Sequence, residues 1–115
     1  MTSQNQIALL LDIQKKNLLT TLIQQTNKDV AMVGIKFHIS ESSNPQNMVL
    51  SIQKLVTNLL HTNFLDYVNL LYRVDIPEEQ IKALQNLETS VLTEKVTILI
   101  VQREWKKVLF KSKNQ

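Results

Sequence analysis

A chain of 115 residues with 43% apolar and 20% charged side chains can form an ordinary core, and this composition argues against both disorder and membrane embedding. It contains no cysteine, which removes disulfides, thiolate catalysis and cysteine-held zinc or iron–sulfur centres. A net charge of +3 is small for a committed nucleic-acid binder, and one glycine with two prolines offers few turns for a sheet of several strands.

The first apolar stripe, Ile7, Leu11, Leu18 and Leu22, predicts a helix over residues 4–25 with Ser3 as its cap. The polar run Thr26, Asn27, Lys28, Asp29 is expected to end it. Residues 30–39 then alternate: Val33, Ile35, Phe37 and Ile39 are separated by Gly34, Lys36 and His38, the pattern of a half-buried strand. No second convincing strand exists to pair with it, and unpaired backbone is costly when buried. Three readings follow: an extended segment lying on the helices, a strand paired across a dimer, or a short helix capped by Asp29 and stopped at Gly34. The expectation is an extended or irregular connector, followed by a loop through Glu41, Ser42, Ser43 and Asn44.

Ser43 or Asn44 can cap the next helix, and Pro45 suits its first position because its missing N–H would have no partner there. Residues 45–61 place Met48, Val49, Ile52, Leu55, Val56, Leu59 and Leu60 on one face. Asn63 can cap a further helix over 64–73, with Phe64, Leu65, Val68, Leu71 and Tyr72 as its apolar members. Asp75 and Glu78 read as the start of a short helix buried through Ile81, Leu84 and Leu87. A last helix over residues 89–111 carries two stripes, 92–96–99 and 98–101–105–108, and is apolar nearly all round at residues 96–101. Its β-branched content would also suit a strand, but helix is the favoured state. The expected fold is mainly α: a bundle of four to five short helices with an extended or irregular segment near residues 30–40, in one domain spanning 1–115.

Chemistry-bearing motifs are sparse. His38 and His61 lack any metal-ligand spacing, so neither a metal nor another cofactor is expected. Glu78 and Glu79 are explained by the first turn of a helix, where carboxylates complement the dipole. Arg73 is expected to brace a bend by pairing with Asp75 or Glu79; the functional alternative is a small-ligand or enzyme site near Tyr72 and Arg73. Arg103, Lys106, Lys107 and Lys111, with Lys113, interleave with Trp105 and Phe110 and form a candidate anion or nucleic-acid surface. Cations at a helix C-terminus also complement its dipole, which is the plainer reading.

No leader-like or membrane-spanning stretch is present, since Asp12, Lys15 and Lys16 interrupt the first apolar run and the longest later one covers only residues 98–101. A cytoplasmic, non-membrane protein is expected. The function expected is non-catalytic association, with a second copy or another protein, with Ile35, Phe37 and Trp105 as the interface candidates.

Overall fold

The caps and breakers in the sequence divide the described residues into six helices. The computed structural model describes residues 4–113: α1 (Gln4–Lys15), α2 (Leu19–Met32), α3 (Pro45–Thr62), α4 (Phe64–Arg73), α5 (Glu78–Ala83) and α6 (Thr89–Lys113). The protein is mainly α, and no strand occurs among the described residues. The cap expected at Ser3 lies outside them.

Asn44 caps α3 by accepting the Asn47 N–H at 2.8 Å, with Pro45 at the first helical position. Asn63 caps α4 in the same way, accepting the Asp66 N–H at 3.1 Å while its amide donates to the Asp66 carboxylate at 2.9 Å. Helices α1, α2 and α4 end at left-handed residues. At the end of α2, Gly34 (φ 79°) turns the chain so that its N–H reaches Ala31 O and the Ile35 N–H reaches Val30 O. The end of α4 repeats this pairing with Asp75 (φ 65°), through Asp75 N–H to Tyr72 O and Ile76 N–H to Leu71 O. Ile35 and Ile76, just past each turn, are buried beside the helix they close.

Several sequence expectations need correction. The stripe over residues 4–25 is two helices, because Asn17 adopts φ 55° and its N–H caps Gln14 O, ending α1. The Ile7–Leu11 edge therefore does not continue into Leu22. Ile7 and Leu11 are exposed, while Ile13, Leu22 and Ile23 are fully buried. The polar run at 26–29 does not break a helix but lies within α2. Thr26 is satisfied by Leu22 O, and Asn27 and Asp29 find distant partners, so tertiary contacts override the local preference. Asp75 does not cap α5. It terminates α4, and α5 starts after Pro77 without a side-chain cap. Phe64 and Leu65 are not core: both are exposed at the start of α4, whose inner face is Tyr67, Leu70 and Leu71.

Residues 35–40 are an irregular connector lying on the helices. The Asn27 side chain serves it as a strand partner would. Its Oδ1 accepts the Ile39 N–H at 2.8 Å and its Nδ2 donates to Ile39 O at 2.9 Å. An amide is the side chain that can do both at once. With its backbone satisfied, Ile39 is held at 1% exposure in the core.

The core sits between α3 and α6, which form the central pair. α2 packs on α6, α4 on α3 and α2, and α1 on α3 and α6. The inward face of α6 is Thr93, Val96, Thr97, Ile100, Val101, Glu104, Trp105 and Val108, at three-and-four spacing. Thr93 and Thr97 are accommodated there because their hydroxyls donate to Ser90 O and Thr93 O within the helix. No helix among the described residues is long and apolar enough to cross a membrane.

Candidate functional site

The inward face of α6 carries a carboxylate where its period calls for an aliphatic residue, and a charged cluster is built around it. Glu104 is 0% exposed and Asp29, facing it from α2, is 1% exposed. Asp29 is well supplied with donors. Arg73 Nε, at the end of α4, reaches Oδ1 at 3.0 Å. Lys107 Nζ and Gln25 Nε2 reach Oδ2 at 2.9 and 3.1 Å. Lys107 also donates to Arg73 O at 3.1 Å and lies 3.3 Å from Glu104 Oε1. Lys111 extends the network by donating to Gln25 Oε1 at 2.6 Å. The cluster thus ties α2, α4 and the C-terminal part of α6 together.

The two carboxyls are unequally served. Neither Glu104 oxygen receives a hydrogen bond from an N–H donor, and its ion pair with Lys107 is longer than that of Asp29. Burial pushes the Glu104 carboxyl up to about 8, aided by the hydrogen bond and negative charge of Asp29 and opposed by Lys107. Burial also acts to raise Asp29, but hydrogen bonds from Glu104, Lys107 and Gln25 outweigh it and hold Asp29 at about 2. Asp29 therefore carries the charge and Glu104 the proton, and the pair titrates as one unit. Closed off from solvent, neither carboxyl can meet a substrate in this conformation.

The cluster redistributes residues the sequence had grouped. Of Arg103, Lys106, Lys107 and Lys111, only Lys106 lies wholly on the surface with no partner inside the fold described above. Lys107 is turned inward and Lys111 is tied to Gln25. Arg103 is half-buried, and its Nε is enclosed without a hydrogen bond. Arg73 pairs with Asp29 and not with Asp75 or Glu79, which lie beyond the turn it was expected to brace. Tyr72 beside it is exposed. Ile35 and Trp105 are buried in the chain's own core and Phe37 is half-buried against it, so the first two present no surface. The Trp105 indole donates to Asp12 Oδ2 at 2.9 Å, which fixes α6 to α1. The Lys16 ammonium, and after it that bond, hold Asp12 below its ordinary range. His38 is exposed, and His61 Nδ1 lies 2.8 Å from Thr57 O. Among the described residues no group of three or more His, Asp or Glu side chains is placed to hold a metal ion.

Sequence reasoning missed Asp29, Glu104 and Gln25. A signal existed for Glu104 alone: it falls in phase with Thr97, Ile100, Val101 and Val108 on the buried arc of α6. Nothing local marks Asp29 as its partner.

The outer surface offers a different feature. Ile7 and Leu11, one turn apart on α1, are 47% and 59% exposed, and Leu50 on α3 is 53% exposed. Between these helices and α6 runs a groove of about 300 Å³ with Leu10, Val49, Leu50 and Ile98 as its apolar lining. Gln6, Gln46 and Gln53 line it as well, and Glu94 is its one acidic residue. Leu50 and Gln53 also line a second groove, which continues along α3 to His61.

Among the described residues, the helical fold combines an internal charge cluster with an aliphatic groove on its outer surface. Compared with known proteins, the chain matches no family model, no curated protein and no solved structure.

Proposed function

We propose that the protein is a non-catalytic helical association module, and that it binds a second copy of itself through the α1–α3–α6 face. The observation that carries this reading is the half-exposed aliphatic trio Ile7, Leu11 and Leu50 beside a groove lined by Leu10, Val49 and Ile98. Single exposed aliphatics are ordinary, but exposed aliphatics beside an apolar groove rimmed by polar groups are a mark of an interface.

A second copy is the occupant favoured because stripe and groove adjoin on one helix. Gln6 and Leu10 line the groove, and Ile7 and Leu11 are each the next residue, rotated by about 100°. A two-fold axis beside α1 can seat the stripe of each copy against the groove of the other, as an isologous interface requires. The rim amides can donate and accept, and they carry no charge to repel their own copies. The basic C-terminal surface is less well supported, because Lys107 is turned towards Asp29 and Lys111 is held by Gln25.

Light scattering over a concentration series tests this directly. The wild-type chain is expected to pass from monomer to dimer as concentration rises. Leu11→Glu with Leu50→Glu should remain monomeric while keeping the helical circular dichroism signal. A wild-type chain that stays monomeric at millimolar concentration refutes self-association.

A further inference from the structure

We propose that Glu104 is the proton-bearing half of a carboxyl–carboxylate clasp joining α6 to α2 and α4, and that loss of this proton loosens the C-terminal third of α6. The inference stands on the geometry of the junction and is independent of the association face.

Donor supply comes first. Asp29 has three nitrogen donors within 3.1 Å, whereas Glu104 has the Lys107 ammonium alone, at 3.3 Å and outside hydrogen-bond geometry. A buried carboxylate without donors is among the least favourable groups in a protein interior. A buried carboxylic acid that donates its proton to a neighbouring carboxylate is not, and Asp29 is the acceptor at hand.

The surroundings offer little else to balance a second negative charge. From α2 the facing groups are Asp29 and the neutral Gln25. From α4 there is Arg73, already committed to Asp29. On α6 itself are Lys107, shared by both carboxyls, Lys111, bound to Gln25, and Arg103, whose Nε is unsatisfied. α1 contributes Asp12, a further anion, held by Trp105 and Lys16. The charged or titratable residues of α3 are Lys54 and His61, both exposed.

Once ionised, Glu104 competes with Asp29 for Lys107 and requires donors that the enclosed junction does not provide. Water is the remaining source. Its entry moves the part of α6 that bears Glu104, Lys107 and Lys111, and this frees Lys107 from Asp29 and Lys111 from Gln25. The clasp therefore couples a single proton to the release of these two cations from their partners.

Trp105 is the chain's one tryptophan and directly follows Glu104. Its fluorescence at low protein concentration is the readout. Wild-type emission is expected to move to longer wavelength with a midpoint near pH 8, and Glu104→Gln to give a flat profile from pH 6 to 9. The variant retains His38 and His61, so any contribution from histidine titration persists in it. A flat wild-type profile, or the same transition in Glu104→Gln, overturns the proposal. If the variant does not fold, carboxyl-carbon NMR titration of the wild type decides: a Glu104 midpoint near pH 8 supports the clasp, and one in the ordinary carboxylate range overturns it.

Discussion

Lys106 and Lys107 are neighbours of identical chemistry, and the structure assigns them opposite weights. Lys107→Met removes the ammonium that donates to Asp29 at 2.9 Å and to Arg73 O at 3.1 Å, and that lies 3.3 Å from Glu104. What remains is the Asp29 carboxylate with one full cation, Arg73, beside a Glu104 carboxyl that has no nitrogen donor. Breaking one partner out of a buried ion pair costs about 3–5 kcal/mol, because the remaining charge stays desolvated. Part of this is recovered here, since Arg73 and Gln25 still serve Asp29, so the lower end, about 3 kcal/mol, is expected. At about 4 °C per kcal/mol for a chain of this length, the melting temperature should fall by about 12 °C. Lys106→Met, on the exposed side of the same turn, should change stability by no more than about 0.5 kcal/mol. Urea denaturation of both variants at pH 7 measures the contrast. Equal effects, or a Lys107→Met loss below about 1 kcal/mol, would refute the claim that the cluster fastens the fold. The double variant Lys107→Met with Glu104→Met should not recover the loss, because Asp29 then lacks both the ammonium and the proton that Glu104 donates.

Other consequences follow from the same contacts. Asn27→Ala deletes both hydrogen bonds to Ile39 and should cost about 1–3 kcal/mol, with faster amide exchange at Ile39 than at core positions of α3. Asn27→Asp keeps the acceptor but loses the donor to Ile39 O, so it should not restore stability. Gly34→Ala meets no atom within 4 Å of the added carbon, so its cost is that of the backbone alone, about 1–2 kcal/mol for a left-handed φ of 79°. Stability against pH should show both halves of the carboxyl pair. Glu104, raised from 4.5 to about 8 in the folded state, contributes stability that is complete below pH 4.5 and declines up to about pH 8. Asp29, lowered from 3.8 to about 2, contributes stability that is complete above pH 3.8 and is lost as pH falls towards 2. Their joint contribution should peak near pH 4, and Glu104→Gln should remove the alkaline decline while leaving the acid one. This is read from urea midpoints between pH 2 and 9.

How much of this was legible in the sequence depends on the range of each interaction. α3 could be read nearly to the residue, because an asparagine cap, a proline at the first position and an uninterrupted apolar face are all local. α6 was legible as a helix, but its inward arc was not, since Thr93, Thr97 and Glu104 belong to it and resemble solvent-facing residues. The break at Asn17 had only a polar triplet, Lys15, Lys16, Asn17, to announce it. The irregular connector expected over residues 30–39 begins only at residue 35, because residues 30–32 belong to α2, and its partner was not foreseen. The Asn27 side chain closes the hydrogen-bond account from within what looked like a helix terminator. The charge cluster lay furthest out of reach. Asp29 read as part of a break and Arg73 as a brace for a neighbouring turn, and Glu104 carried no reading of its own. Their meeting depends on contacts between positions 44 and 78 residues apart.

The functional account rests on the outward face of α1, α3 and α6, and backbone amide NMR spectra recorded on dilution at constant pH test it most directly. The account predicts that the shifting resonances gather at Ile7, Leu10, Leu11, Leu50 and Ile98. Shifts gathered instead at Phe64 and Leu65 on α4, or no shifts across a thousandfold dilution from millimolar protein, would contradict it.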